Sequence, residues 1–150
     1  MSIDLLKQLE PELDTAALTG GNPMHRVLLV VNEGSSPYNG WARLAVDFQT
    51  RRRYAIRISD ANGTTCHHHI TDEKVDEPSA DTGKFRWAFS LWFDVNIPSR
   101  QLLGFLAEWT PEPDQTQIPS VFSEPDVWLP ALEAHPHPGH VTLPFTLPEA

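Results

Sequence analysis

Residues 84–97 read Lys84-Phe85-Arg86-Trp87-Ala88-Phe89-Ser90-Leu91-Trp92-Phe93-Asp94-Val95-Asn96-Ile97. Every second position from Phe85 to Ile97 is apolar. Lys84, Arg86, Ser90, Asp94 and Asn96 fill the positions between, together with Ala88 and Trp92. A period of two sustained over such a run predicts a long antiparallel strand with one buried face. A strand well beyond the usual five to six or so residues bends, or belongs to a barrel or strongly twisted sheet. The expected fold class is therefore mainly β (α+β), a curved antiparallel sheet or small β-barrel or sandwich. An N-terminal helix and an extended Pro-rich C-terminal arm complete it.

The flanking segments supply further strands. Val27-Leu28-Leu29-Val30-Val31 is an unbroken, β-branched run of the kind covered on both faces. Ala42, Leu44, Val46 and Phe48 alternate with Trp41, Arg43, Ala45 and Asp47, and Tyr54, Ile56 and Ile58 continue the apolar face. A hairpin across Gln49–Arg53 sets Phe48 against Tyr54 and Val46 against Ile56, with Arg51-Arg52-Arg53 as solubilising charges in its loop. A second turn at Ala61-Asn62-Gly63, with Gly63 left-handed, sets Cys66 against Ile58, His68 against Ile56 and Ile70 against Tyr54. That register points His67 and His69 outward, beside Arg57; a two-residue Asn62-Gly63 turn would send them inward. Residues 71–83 read as an acidic, solvated excursion. Over 99–109, alternation of Leu103, Phe105, Ala107 and Trp109 favours a strand over a helix capped by Ser99.

At the N-terminus Ser2 is a candidate cap, and Ile3, Leu6 and Leu9 fall at helical spacing up to Pro11. A short turn over Asp14–Leu18 stops at Gly20-Gly21. The far end differs in character, since residues 111–150 hold 9 of the 14 prolines. This division predicts a β-rich core with its helix over 1–110 and an arm over 111–150. So many prolines exclude interior strands from the arm. Its apolar Phe122, Val127, Trp128, Leu129, Leu132, Val141, Leu143, Phe145 and Leu147 predict that it packs on the core or on a partner subunit.

Composition narrows function. The chain has 150 residues, 20 acidic against 11 basic, for a net charge of −9. That balance argues against nucleic acid, whose phosphates need clustered cations, and against an anionic membrane surface. A single cysteine, Cys66, excludes an internal disulfide, and the first 20 residues lack the apolar core of a signal peptide. The expected location is the cytoplasm.

Histidine is the most concentrated chemical signal. His67, His68 and His69 follow Cys66, and His135, His137 and His140 lie in the arm. On a strand His67 and His69 share a face, where two imidazoles can hold a transition metal. Gly63, His67, His69 and Glu73 resemble part of the first metal motif of the cupins, which are small double-stranded β-barrels. The resemblance covers residues 63–73, and Pro138-Gly139-His140 is a compressed counterpart of the second motif. It implies His67, His69 and Glu73 as ligands of a divalent zinc, iron, nickel or copper ion, with a further histidine from a later strand. Such a site would serve a metal-dependent enzyme acting on a small molecule.

No Gly-x-Ser-x-Gly, phosphate loop or dinucleotide glycine pattern is present. Cys66, inward on its strand, reads as a small core residue. Trp41 and Trp92 lie on the polar side of their strands, near Arg43 and, across the predicted hairpin, Arg57. Bulky rings there need a cover: a ligand such as a sugar or flat ring or, in better keeping with the pattern, the N-terminal helix, the Pro-rich arm or a protein interface. The leading expectation is a non-enzymatic, acidic protein-interaction module (an adaptor, inhibitor or assembly subunit) without cofactor. It acts on a protein partner or by self-association as a homo-oligomer, binding through Trp41, Trp92, Arg43 and Arg57. The alternatives are the cupin-like enzyme and a small-molecule-binding barrel.

Overall fold

The alternating run forms β6, Phe85–Ile97, and takes a partner of equal length, β2, Tyr38–Thr50, in a continuous antiparallel ladder. Opposed residues share a face, so Ala42 meets Phe93, Leu44 meets Leu91 and Val46 meets Phe89 on the inner side. The computed structural model describes residues 3–20, 22, 24–50, 54–75, 85–111 and 122–147. Within them the remaining strands are β1 (His25–Asn32), β3 (Tyr54–Ser59), β4 (Thr65–Cys66), β5 (His68–Val75), β7 (Gln101–Pro111), β8 (Leu129–Ala134) and β9 (Phe145–Thr146). They make one sheet in the order β4-β3-β7-β1-β8-β2-β6-β5, with β9 on β7. All the ladders are antiparallel except β2–β8. Only His67 separates β4 from β5, and its carbonyl accepts the Asp94 amide at 3.0 Å. The two ends of the sheet therefore meet in a nearly closed barrel.

The barrel interior is filled by Trp87, Phe89, Leu91, Phe93, Val95 and Ile97 of β6, with Leu28 and Val30 of β1, Ile58, Phe105 and Ala107. A second core lies outside β1, where Val27, Leu29 and Val31 pack under Leu6, Leu13 and Leu147. Leu6 belongs to helix α1 (Ile3–Leu9); helix α2 (Ala16–Thr19) ends at Gly20, whose φ of 58° is left-handed. β1 is thus buried on both faces, which explains its unbroken apolar run. Thr15, fully buried, latches the chain ends together. Its hydroxyl donates to the His135 carbonyl at 2.7 Å and accepts the His137 amide at 2.8 Å.

Four expectations change. β2 and β3 form no hairpin: Ile56 and Ile58 oppose Trp109 and Ala107 of β7. Alternation specifies which face is buried, not which strand is the neighbour, and β6 offers β2 the longer match. The arginine loop 51–53 lies outside the described residues, as do Ser2 and Gly21. Next, the Ala61-Asn62-Gly63 turn forms with Gly63 at φ 84°, and Cys66 opposes Ile58 as expected. The chain then leaves β3, so His68 opposes Phe93 and Ile70 opposes Leu91, not Ile56 and Tyr54. Third, the acidic excursion begins later, because residues 71–75 extend β5 through a bulge between Thr71 and Lys74, with Asp72 at φ 56°; residues 76–83 are outside the described set.

Fourth, the Pro-rich arm contributes an interior strand. β8 sits between β1 and β2, with Leu129 and Ala131 in the inner core and Ala134 in the outer one. Pro130 takes part only in the short β2 ladder, opposite Arg43, while the longer β1 ladder uses Ala131–Ala134, beyond the residue that lacks an N–H. The contested segment 99–109 is a strand, β7, whose Gly104 lets the side chains of Leu143 and Leu18 lie directly against the backbone.

Candidate functional site

The outward side of β2 and β6 carries Trp41, Arg43, Ser90 and Trp92, and β5 adds His69 and Thr71 beside them. Direct opposition on the ladders places Arg43 and His69 on either side of Trp92. Trp92 is only 1% exposed although it lies outside the barrel. Its cover comes from the arm: Phe122 at 5.6 Å and Trp128 at 5.8 Å between ring centroids. Its indole N–H donates to Thr71 Oγ1 at 2.8 Å, so the buried ring leaves no polar atom unmet.

Phe122 is the centre of the cluster. It stacks on His69 at 4.4 Å with an interplanar angle of 15°, and meets Trp41 edge-on at 5.1 Å. Arg43 runs between two indoles, 5.5 Å from Trp92 and 5.3 Å from Trp128, and donates to Ser90 Oγ at 2.9 Å. Aromatic pairs contribute about 0.5–1.5 kcal/mol each beyond their area, and a cation over a ring about 0.5–2 kcal/mol. Together these contacts hold the 122–128 segment on the sheet. Trp41, Phe122 and Trp128 remain half-buried, and the adjacent Val127 is 70% exposed. Asp72, Glu124 and Asp126 are exposed acids on β5 and this segment.

Trp41, Trp92, Arg43 and His69 are thus brought together. Arg57 is not: it lies on β3, donating to Thr65 Oγ1 at 3.3 Å and pairing with Glu108 at 3.8 Å. His67 is exposed in the link between β4 and β5, and faces outward like His69, as the three-residue turn predicted. Glu73 sits in the bulge, where its Oε2 accepts the Trp87 indole N–H at 2.7 Å. Among the described residues no three His, Cys, Asp or Glu side chains converge as a metal-binding group. His68 points inward opposite Phe93; burial, then the neighbouring His69 and His67, push its pKa below the usual imidazole value. Phe122, Trp128, Thr71 and Ser90 were not singled out as site residues. The excess of apolar residues in the arm was the one available signal.

A second feature is a cavity of about 400 Å³ at the barrel wall, bounded by the β3–β4 turn, the end of β6 and the start of β7. Cys66 lines it, and burial, then Asp94 and Asp60, push that thiol up to about 11. No described helix is long and apolar enough to cross a membrane.

No protein-family model and no curated protein matches this chain. Two solved structures from Enterococcus faecalis show partial similarity. One is a glycosyl hydrolase family 38 protein, with 12% identity and a TM-score of 0.49 over 75% of this chain and 16% of that one. The other is an α-mannosidase, with 11% identity and a TM-score of 0.49 over 74% of this chain and 15% of that one. This chain therefore spans a small part of either protein's length.

Proposed function

We propose that the chain is a non-enzymatic protein-interaction module, working in the cytoplasm, that presents the outer face of β2, β6 and β5 together with the 122–128 segment. The observation that carries this reading is the aromatic cluster of Trp41, His69, Trp92, Phe122 and Trp128 built outside the barrel. The interior is already filled by a separate apolar core, so the outer rings are not needed to close it. Aromatic side chains with an arginine among them and a polar rim are the composition of an interface centre. Asp72, Glu124 and Asp126 supply an acidic rim, so the partner surface is apolar and edged with Lys or Arg.

Val127→Arg tests this without touching the core, because Val127 is 70% exposed. The wild-type chain, immobilised, is expected to retain a defined partner whose capture falls at least tenfold with Val127→Arg and weakens as salt is raised. A chain that is strictly monomeric by light scattering and captures the same proteins with and without the substitution overturns the proposal.

A further inference from the structure

β6 and β7 follow one another through a short turn over residues 98–100, yet do not pair. β6 ladders to β2 and β5, and β7 to β1, β3 and β9. Two strands tied at one end and committed to different neighbours must diverge, which leaves a wedge-shaped gap in the barrel wall. On its β5 side, β6 has no strand partner beyond Phe93, where the Asp94 amide reaches the His67 carbonyl. On its β3 side, β7 is paired from Leu106 onward by β3 and at Gln101 and Leu102 by β9, leaving Leu103–Phe105 between them. The β3–β4 turn borders this gap and leaves an open-sided cavity of about 400 Å³. That volume is within the range of about 300–1,000 Å³ typical of small-molecule sites.

The lining is divided by chemistry. Val95, Leu103, Phe105 and Cys66 form an apolar side continuous with the inner core. Asp60, on the turn, and Asp94, on β6, bring two carboxylates from different elements, and among the described residues no Lys, Arg or His lines the cavity. Asp60 uses Oδ1 to accept the Asn62 and Thr64 amides, at 2.9 and 3.0 Å. The Asp94 carboxylate makes no hydrogen bond or ion pair among the described residues. A neutral molecule that displaced water here would strip these carboxylates of solvent without return, and an anion would be repelled; a cation compensates them.

We propose that this gap is a binding site for a small amphiphilic amine, with its apolar body against Leu103 and Phe105 and its ammonium against Asp94 and Asp60. The gap adjoins the outer aromatic face, since Asp94 opposes Trp41 on the β2–β6 ladder, but its lining shares no residue with the aromatic cluster, and the proposal does not rest on the interaction reading.

The test uses the full chain and three probes that share one body: tyramine (cation), tyrosol (neutral) and 4-hydroxyphenylacetate (anion). Affinity is measured by calorimetry, and occupancy by the rate at which N-ethylmaleimide alkylates Cys66, the single cysteine, which lines the cavity. Tyramine is expected to saturate at one equivalent and to slow alkylation at least fivefold. Tyrosol is expected to bind at least tenfold more weakly, and 4-hydroxyphenylacetate not at all. Asp94→Asn is expected to weaken tyramine at least tenfold with an unchanged circular dichroism spectrum. Asp60→Asn, which keeps the Oδ1 acceptor for the turn, is expected to act in the same direction. Equal affinity for the three probes overturns the proposal. So does tyramine binding that leaves Cys66 alkylation unchanged, which would place the amine elsewhere on an acidic surface. Should Asp94→Asn fail to fold, the wild-type probe series and alkylation rates decide the matter alone.

Discussion

Asn32 shows how much one buried side chain can organise. It is 3% exposed, and its amide nitrogen donates to the carbonyls of Ser36 at 2.9 Å, Ile97 at 3.2 Å and Pro98 at 3.2 Å. Its Oδ1 accepts the Gly34 amide at 2.9 Å. One residue thereby shapes the 33–37 loop and ties it to the end of β6. Asn32→Asp would turn a carboxylate toward three carbonyls, and should destabilise the chain by at least about 3 kcal/mol at neutral pH. Its carboxyl pKa would rise, because the protonated form can still donate. The deficit should therefore be smallest at acid pH and grow as pH rises, which urea melts across pH will show. His68 has the opposite sense. Its folded pKa lies below its unfolded value, so its contribution is constant above the ordinary imidazole range and stability is lost as pH falls below that range. His68→Gln should flatten the pH dependence of the urea midpoint between pH 7.5 and 5.5; an unchanged slope would assign it to other groups. Which histidines face outward was legible from the apolar pattern, since Cys66 and Ile70 belong on the inner side. The Phe122 stack on His69 was not, because residues that distant in sequence meet only through the fold.

Among the elements, the closest approaches mark where the outer layer is set. A Cβ on Gly139 would lie 2.6 Å from the Glu12 carbonyl oxygen and 2.6 Å from Leu13 carbonyl carbon, both backbone atoms. The atoms nearest a Cβ on Gly104 of β7 belong to the side chains of Leu143 and Leu18, which can swing aside, and not to backbone. Gly139→Ala should therefore cost about 2–3 kcal/mol and Gly104→Ala about 1 kcal/mol or less, partly offset by the gain in strand propensity. The order of the two, read from thermal midpoints, is the decisive outcome; equal costs would mean that the segment around Gly139 yields as easily as a side chain. Strand periods identified β6, β2, β1 and β7 because each buries at least one face in a regular way. β8 is hidden from a composition rule about proline that treats residues 111–150 as one segment. The constraint acts residue by residue, and only Pro130 falls in that strand.

For the molecule as a whole, β8 is the piece that makes one barrel of two half-sheets. On one side β1 carries β7, β3 and β4; on the other β2 carries β6 and β5, and β8 pairs with both β1 and β2. Removing residues 122–150 takes away Leu129 and Ala131 from the inner core, and Ala134 and Leu147 from the outer one. The remainder should lose its cooperative thermal transition, as followed by near-ultraviolet circular dichroism. A sharp transition in the shortened chain would instead establish residues 1–121 as a self-sufficient unit. Sequence alone determined that the chain is a β protein with a long strand, β6, that turns one face into the core, that β1 is covered on both faces, and that His67 and His69 face away from the core. These are consequences of local periodicity, which is a property of neighbouring residues. Only the tertiary structure decided which strands are neighbours, that the proline-rich end is part of the barrel, and that an aromatic cluster and a wall gap exist at all. Pairing and cavity formation depend on contacts between residues tens of positions apart, and the same alternation satisfies several partners equally well until the whole sheet closes.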